Sequence, residues 1–426
     1  MTDDLVESWK SFVRKSLHVL KTQSEKEGIP ELEKVRLQEK DGETLEEIVK
    51  VPAYDDFLER NKNQLSGSPD FRTLATLMVT DSSISKHIGQ VIRTAYGAST
   101  VTLWDFAKFP VAKQLEKAEP FVVEESLLDN TLSELLNFFS SDTVVFLHVA
   151  PLQNFDSEVE EIRLGPGLRV RRITKDELVW ILNLVVIAGT MPFFKTFQYK
   201  FVIEETIESP KYLGDQAPST PVNDPFDIVG RVVTSFRLLK PGNISCNMVR
   251  TVPTVQVPGL PSGGSSKEPV PPWGTRYLMK KGEESKLMEV WQHFENRDFN
   301  KPDPVNVALR RFNFSFERGQ VEDKVIDLMI AFEALLLNEE GSPTHKLALR
   351  FAKLLGNDFV ERMTLYKEMK RFYKIRSKIV HGESTKTDEQ LVMGIEERLR
   401  SSVTAVLERL KNQTHSMLLT HLDLDP

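Results

Sequence analysis

The sequence predicts an α+β protein: a mixed α and β N-terminal domain followed by an all-α helical bundle. Three observations lead there. Short β-branched apolar runs separated by turn signals occur in the first 250 or so residues. A stretch rich in proline, glycine and serine then covers residues 257–273. Beyond residue 283, every segment repeats its apolar residues at helical spacing. At 426 residues the chain is too long for one ordinary core. The expected division is therefore an N-terminal domain over 1–256, a linker over 257–273 and a bundle over 283–426.

Residues 4–26 predict an amphipathic helix, because Leu5, Trp9, Phe12, Val13, Leu17 and Leu20 recur on one face. A second helical region is expected over 70–96, closed by Gly97. The texture then changes. Residues 143–151 form a short β-branched run, and 168–173 alternate apolar with basic residues. Residues 197–205 and 228–239 have strand-like character, with a helix left open for the second. Gly165-Pro166-Gly167 and Lys240-Pro241-Gly242-Asn243 supply turns, and 174–187 predicts a helix between strands. No repeat at a fixed period is visible.

In the C-terminal part, 283–295 and 304–316 predict two lead-in helices. Residues 321–338 are apolar nearly all round, through Val325, Ile326, Leu328, Met329, Ile330, Phe332 and Leu335. Such a helix belongs at the centre of a bundle. Pro343 stands near the start of a helix over 344–355, which Gly356-Asn357 stops. A third helix, capped by Asn357 or Asp358, ends at His381-Gly382, and a last one covers 388–415. Short connections imply antiparallel packing.

Bulk properties narrow the function classes. No apolar run approaches membrane-spanning length; the longest, 179–187, is interrupted by Asn183. The N-terminus is acidic where a secretory signal would be basic and then apolar. Cys246 stands alone, which excludes an internal disulfide framework or a cysteine-rich zinc site. The expectation is a cytoplasmic protein with no membrane partner, no cofactor and no metal. No Walker glycine loop or G-x-S-x-G elbow occurs, and the eight histidines lack metal-ligand spacing. A net charge of −7 argues against wholesale electrostatic binding of nucleic acid. Between Lys346 and His381, however, ten basic residues face only Asp358, Glu361 and Glu368. That stretch is either an anion site or a solvated helix face.

On a helical wheel of about 100° per residue, Leu365, Met369, Phe372, Ile379 and Val380 fall within about 60° of Arg376. Lys367, Arg371, Lys374 and Lys378 fall on the opposite face, and Lys370 adds to the same basic stretch. Arg376 thus sits in an apolar stripe and requires a partner. Glu333 and Asp327, in the otherwise apolar central helix, are one source; a phosphate at a cleft or dimer seam is the other. His381 precedes a helix-stopping glycine, where the helix dipole favours a cationic imidazole. Arg376 and His381 lie about 140° apart on a regular helix.

The segments RFNFSFERGQVEDKVIDLMIAFEALLLNEEGSPTHKLALRFAKLLG (311–356) and FYKIRSKIVHGE (372–383) closely resemble the Apea-like branch of the HEPN superfamily. The bundle resemblance covers about residues 303–415. A looser one reaches upstream to PLQNF (151–155), IRLGPGLRVRRIT (162–174) and SFRLLKPG (235–242). The superfamily signature is Arg-x4-6-His at the end of the third core helix, where Arg376 and His381 stand. The resemblance implies a four-to-five-helix bundle forming a homodimer, and a metal-independent endoribonuclease of possible use in bacterial defence or stress. In it, His381 serves as acid or base toward the ribose 2′-hydroxyl or the leaving oxygen. Arg376 stabilises the phosphorane charge, and 2′,3′-cyclic phosphate ends result. Lys367, Lys370, Arg371, Lys374 and Lys378 are the expected RNA-phosphate contacts. Active members usually place Asn, Asp or His directly after the arginine; Ser377 stands there here. The superfamily also contains inactive members that bind nucleotides or RNA or serve as dimerisation modules, which is the alternative reading.

Overall fold

The computed structural model describes residues 3–40, 43–94, 97–187, 199–211, 224–254, 263–267, 275–337 and 343–424. The N-terminal part begins with helix α1 (Asp3–Glu27) and the antiparallel hairpin β1 (Glu31–Lys40) and β2 (Glu43–Pro52). There follow α2 (Tyr54–Arg60), α3 (Lys62–Ser66), α4 (Pro69–Thr80), α5 (Ser82–Ser85), and a small hairpin β3 (Val91–Thr94) and β4 (Gly97–Thr100). Helices α6 (Leu103–Lys117) and α7 (Glu125–Ser140) complete this part. The helical region expected over 70–96 is therefore shorter than its pattern suggested. Asp81 leaves helical geometry after α4 and caps α5 by accepting from the Ser83 N–H, and the chain then turns into a hairpin.

Next come β5 (Thr143–Pro151), β6 (Phe155–Ser157), β7 (Glu161–Gly165), β8 (Leu168–Arg172), α8 (Lys175–Ile187), β9 (Phe201–Pro210), α9 (Pro225–Leu239), β10 (Met248–Pro253) and β11 (Gly263–Ser266). Six of these strands form an antiparallel sheet in the order β11-β10-β5-β9-β8-β7. The apolar and basic alternation over β8 is explained by its two faces. Leu168 and Val170 are buried, while Arg169 and Arg171 clamp the buried Glu204 at 2.7 Å each from the other face. Residues 228–239 belong to a helix. Asp224 caps its start, Pro225 occupies the first turn, and Phe226, Val229, Val233 and Phe236 recur at helical intervals on a buried face.

The C-terminal part opens with β12 (Tyr277–Met279), which pairs in parallel with β6 and precedes the helices expected from 283 onward. Helices α10 (Glu284–Gln292), α11 (Pro304–Ser315), α12 (Val321–Leu336), α13 (Pro343–Leu355), α14 (Phe359–Val380), α15 (Glu389–Leu410) and α16 (His415–Leu424) follow. The final helix expected over 388–415 ends at Leu410, and a further helix, α16, follows it. Helix α12 is the centre, packed against α11, α13, α14 and α15.

The two largest cores divide the chain elsewhere than at 257–273. One core joins α1 to α7 with Val144 and Phe146 at the start of β5. The other begins at Ala150 and Leu152, and runs without a break through the sheet, α9 and Tyr277 into the bundle as far as Leu422. A single strand, β5, serves both cores in turn, so the bundle shares its apolar interior with the sheet. Of the stretch expected as linker, Gly263–Ser266 pairs with β10, and 257–262 and 268–273 lie outside the described residues. No described helix is long and apolar enough to cross a membrane.

Candidate active site at the end of helix α14

Helix α14 is bounded by local chemistry at both ends. The Asp358 side chain accepts from the Glu361 N–H and sets its start. At its end, the Gly382 N–H reaches the Ile379 carbonyl and the Glu383 N–H reaches the Lys378 carbonyl, with Gly382 at φ 70°. This is a Schellman closure, which needs the left-handed residue that glycine supplies without steric cost. The His381 N–H still bonds to the Ser377 carbonyl at 3.0 Å, so the last turn is regular.

Regularity fixes where the two signature side chains go. Leu365, Met369 and Phe372 are buried, and Ile375 and Ile379 pack against the same core. Arg376 emerges at the core's edge with its side chain 26% exposed, and Val380, one turn on, is 52% exposed. The apolar stripe therefore leaves the bundle at its end. His381 is exposed and points about 140° away from Arg376 around the axis. One chain alone does not bring the two together. On the same wheel, Lys367, Lys370 and Lys374 lie within about 40° of His381. The histidine thus ends the basic face, whereas the arginine ends the apolar one.

Of the two expected partners of Arg376, only Glu333 is near it. Arg376 Nη2 stands 3.8 Å from Glu333 Oε2, a loose ion pair without a hydrogen bond. Burial pushes the Glu333 carboxyl above its usual range, and the Arg376 charge opposes that shift. The Arg376 Nε is buried and without a hydrogen-bond partner, and its Cζ lies 5.9 Å from the Tyr373 ring. Asp327 does not serve Arg376. It is buried between Arg311 at 2.9 Å and Arg318 at 2.7 Å. Six residues separate Asp327 from Glu333, about 120° around α12, so the two carboxylates face different neighbours.

The basic stretch also divides in two. Arg350 is buried and held by the Asp423 carboxylate at 2.6 Å and the Leu336 carbonyl at 2.7 Å. Lys346 reaches the same carboxylate at 3.9 Å, and Arg362 donates to the Gly356 carbonyl at 3.2 Å. These cations are architectural. Lys367, Lys370, Arg371 and Lys374 are exposed and Lys378 half-buried, and none of the five has an ion-pair partner among the described residues. Glu368, on the same helix, turns to Arg398 of α15 at 3.0 Å and leaves the face uncompensated.

A polar cleft that no sequence motif marks lies away from α14. A cavity of about 350 Å³ is lined by Glu205, Asp224, Asp227, Arg231, Glu295 and Asp298, among others. Burial lifts the Glu205 carboxyl to about 7, against the attraction of Arg231. The available signal was positional: Glu205 continues the inward alternation of Phe201 and Ile203, and pairs in register with the buried His148. No family model matches the chain, and no curated protein or solved structure matches it either.

Proposed function

We propose that the chain is a metal-independent endoribonuclease of the HEPN type, acting as a homodimer through its C-terminal helices. The observation that carries the reading is the unpaired cationic face of α14, which ends at the exposed His381, while the apolar face of the same turn ends at Arg376 with its Nε unpaired. Cations without protein partners release counterions when they meet RNA phosphates, which gives sequence-independent affinity. From Lys367 to Lys378 the face is about 16 Å long, at 1.5 Å per residue.

In this reading the ribose 2′-oxygen attacks the adjacent phosphorus and gives up its proton to a base. The bond from phosphorus to the 5′-oxygen breaks, and that oxygen takes a proton from an acid. A 2′,3′-cyclic phosphate and a 5′-hydroxyl remain. A single imidazole can take the proton and pass it on only if it reaches both oxygens; a dimer supplies one imidazole for each role. Arg376, whose Nε donor is unused, offsets the negative charge that builds on the phosphorane oxygens. Val380 and the exposed Phe359 and Met363 offer apolar contact along the same helix.

The second reading is a non-catalytic RNA-binding or dimerisation module. Its support is the regular last turn, which keeps Arg376 and His381 about 140° apart. Cleavage of a labelled RNA by EDTA-treated protein tests both. His381→Ala is expected to lower cleavage by roughly 10²–10⁴ while costing about 0.3–1 kcal/mol of stability. A parent protein that binds RNA but never cuts it favours the second reading. Cutting by the variant at the parental rate removes His381 from the chemistry. Light scattering at tens of micromolar tests the dimer, on the full chain, because the bundle shares its core with the sheet.

A further inference from the structure

A separate cavity, of about 180 Å³, lies between α9, the segment leading into β10, and the end of α11. Its apolar wall is Phe226, Val229 and Val233. Gly230 sits among them, and a Cβ there meets nothing within 4 Å. A glycine inside a helix costs stability relative to alanine, and nothing in the fold requires the missing side chain at this position. Its effect is to leave the cavity open.

The polar side has two buried groups, one an acceptor without a donor and the other a guanidinium without a counter-ion. Asn247 is 4% exposed, lines the cavity, and its Oδ1 has no hydrogen-bond partner. Such an acceptor lacks only a donor. Arg237 is 3% exposed and also lines the cavity. Its N–H groups reach the Ile244 carbonyl and the Asn313 side chain, at 2.9 Å each at their shortest, and its Cζ lies 4.4 Å from the Phe316 ring. Its neighbours in hydrogen bonding are neutral, and among the described residues no carboxylate comes within ion-pair distance. A buried guanidinium without an anion is costly. Two opposite charges, Lys267 and Glu317, stand exposed at the rim, with Lys267 Nζ 4.4 Å from the Phe226 ring.

From this arrangement we infer that the cavity binds a free apolar α-amino acid. The carboxylate is drawn to Arg237 and Lys267, and the ammonium donates to Asn247 Oδ1 and is balanced by Glu317. The aliphatic side chain lies on Phe226, Val229 and Val233 over Gly230. The size agrees, since an engineered cavity of roughly 150 Å³ takes up benzene; the isobutyl group of leucine is smaller than benzene, and its charged ends reach toward the rim. The inference does not depend on RNA cleavage and is tested without RNA.

The experiment is isothermal titration calorimetry of the full chain with L-leucine and the other apolar amino acids, beside 4-methylpentanoate and 3-methylbutylamine. Each of those two compounds carries one charged end of leucine. Saturable binding of an amino acid, at least tenfold tighter than either compound, is the expected result. Gly230→Leu fills the cavity and is expected to abolish binding with a melting temperature no lower than the parent's. Asn247→Leu is expected to weaken the amino acid at least tenfold and to leave 4-methylpentanoate unaffected. Absence of binding by every standard amino acid overturns the proposal, as does unchanged affinity in folded Gly230→Leu. Equal affinity for leucine and 4-methylpentanoate overturns the role of Asn247. Should Gly230→Leu fail to fold, the Asn247→Leu comparison decides.

Discussion

Arg376→Ala distinguishes a structural arginine from one held ready for a substrate. At 3.8 Å and an effective dielectric of about 20, the attraction between Arg376 and Glu333 is about 4 kcal/mol before desolvation. Both side chains are about a quarter exposed, at 26% and 24%, and no hydrogen bond joins them. Pairs this loose retain roughly 0.2–1 kcal/mol once solvent is counted. Truncation also strips a partly buried aliphatic stem, at about 0.8 kcal/mol per fully buried methylene. Against that, it removes the unpaired Nε, whose burial itself costs about 1 kcal/mol or more. The net loss is about 1 kcal/mol. That contrasts with the roughly 3–5 kcal/mol expected when one member of a tight buried pair is deleted. Urea denaturation of parent and variant, at equal slope, measures the difference, and RNA cleavage is assayed on the same samples. A loss above about 3 kcal/mol refutes the reasoning and makes Arg376 a structural residue. A stable variant with undiminished cleavage removes Arg376 from the chemistry.

Three further outcomes follow from the same geometry. Replacing Lys367, Arg371 and Lys374 with glutamate weakens RNA binding without regard to sequence. It also flattens the dependence of log affinity on log salt by about 0.7 for each lost phosphate contact to single-stranded RNA, read by filter binding across salt concentrations. Glu205 holds its proton to about 7 in the folded chain, against a reference value of 4.5. The folded state therefore binds more protons than the unfolded state between those values, and this group's contribution to stability falls as pH rises through that window. Its total is about 3 kcal/mol at most. Glu205→Gln should remove that slope and stabilise the chain at pH 8, and identical pH profiles for parent and variant would discard the assignment. Asp327→Ala should destabilise by about 2 kcal/mol, less than a sealed pair, because Arg311 and Arg318 are 38% and 45% exposed and regain water. A denaturation midpoint equal to the parent's counts against that pairing.

The reach of sequence reasoning here follows the range of the interactions involved. Helix α1 runs over Asp3–Glu27 against an expected 4–26, and α14 lies between the Asp358 cap and the Gly382 closure that its residues announce. Caps, turns and apolar periodicity act over four or five residues, so they are written locally. The burial of α12 was legible for the same reason, since apolar residues on every side leave no face for water. Residues 228–239 were ambiguous because Val232, Val233 and Phe236 suit a strand as well as a helix. Packing between the sheet and the bundle chose the helix.

Partner choice was not legible at all. Glu333 and Asp327 are both carboxylates on one apolar helix, yet only the folded chain places one beside Arg376 and the other between Arg311 and Arg318. Arg350 meets Asp423 across 73 residues, in a helix beyond the last one expected from the sequence. The proline-rich stretch at 257–273 is conspicuous in composition, but composition reports where a chain cannot form a core, not which cores its flanks join. Local sequence determined the ends of α1 and α14, the burial of α12 and the place of His381 at the end of α14. Tertiary structure decided which charges are neutralised, that β5 divides the two largest cores, and that Arg237 and Asn247 are buried and Glu205 half-buried around cavities. Burial and ion pairing are set by neighbours brought from far along the chain, and no spacing within a segment encodes them.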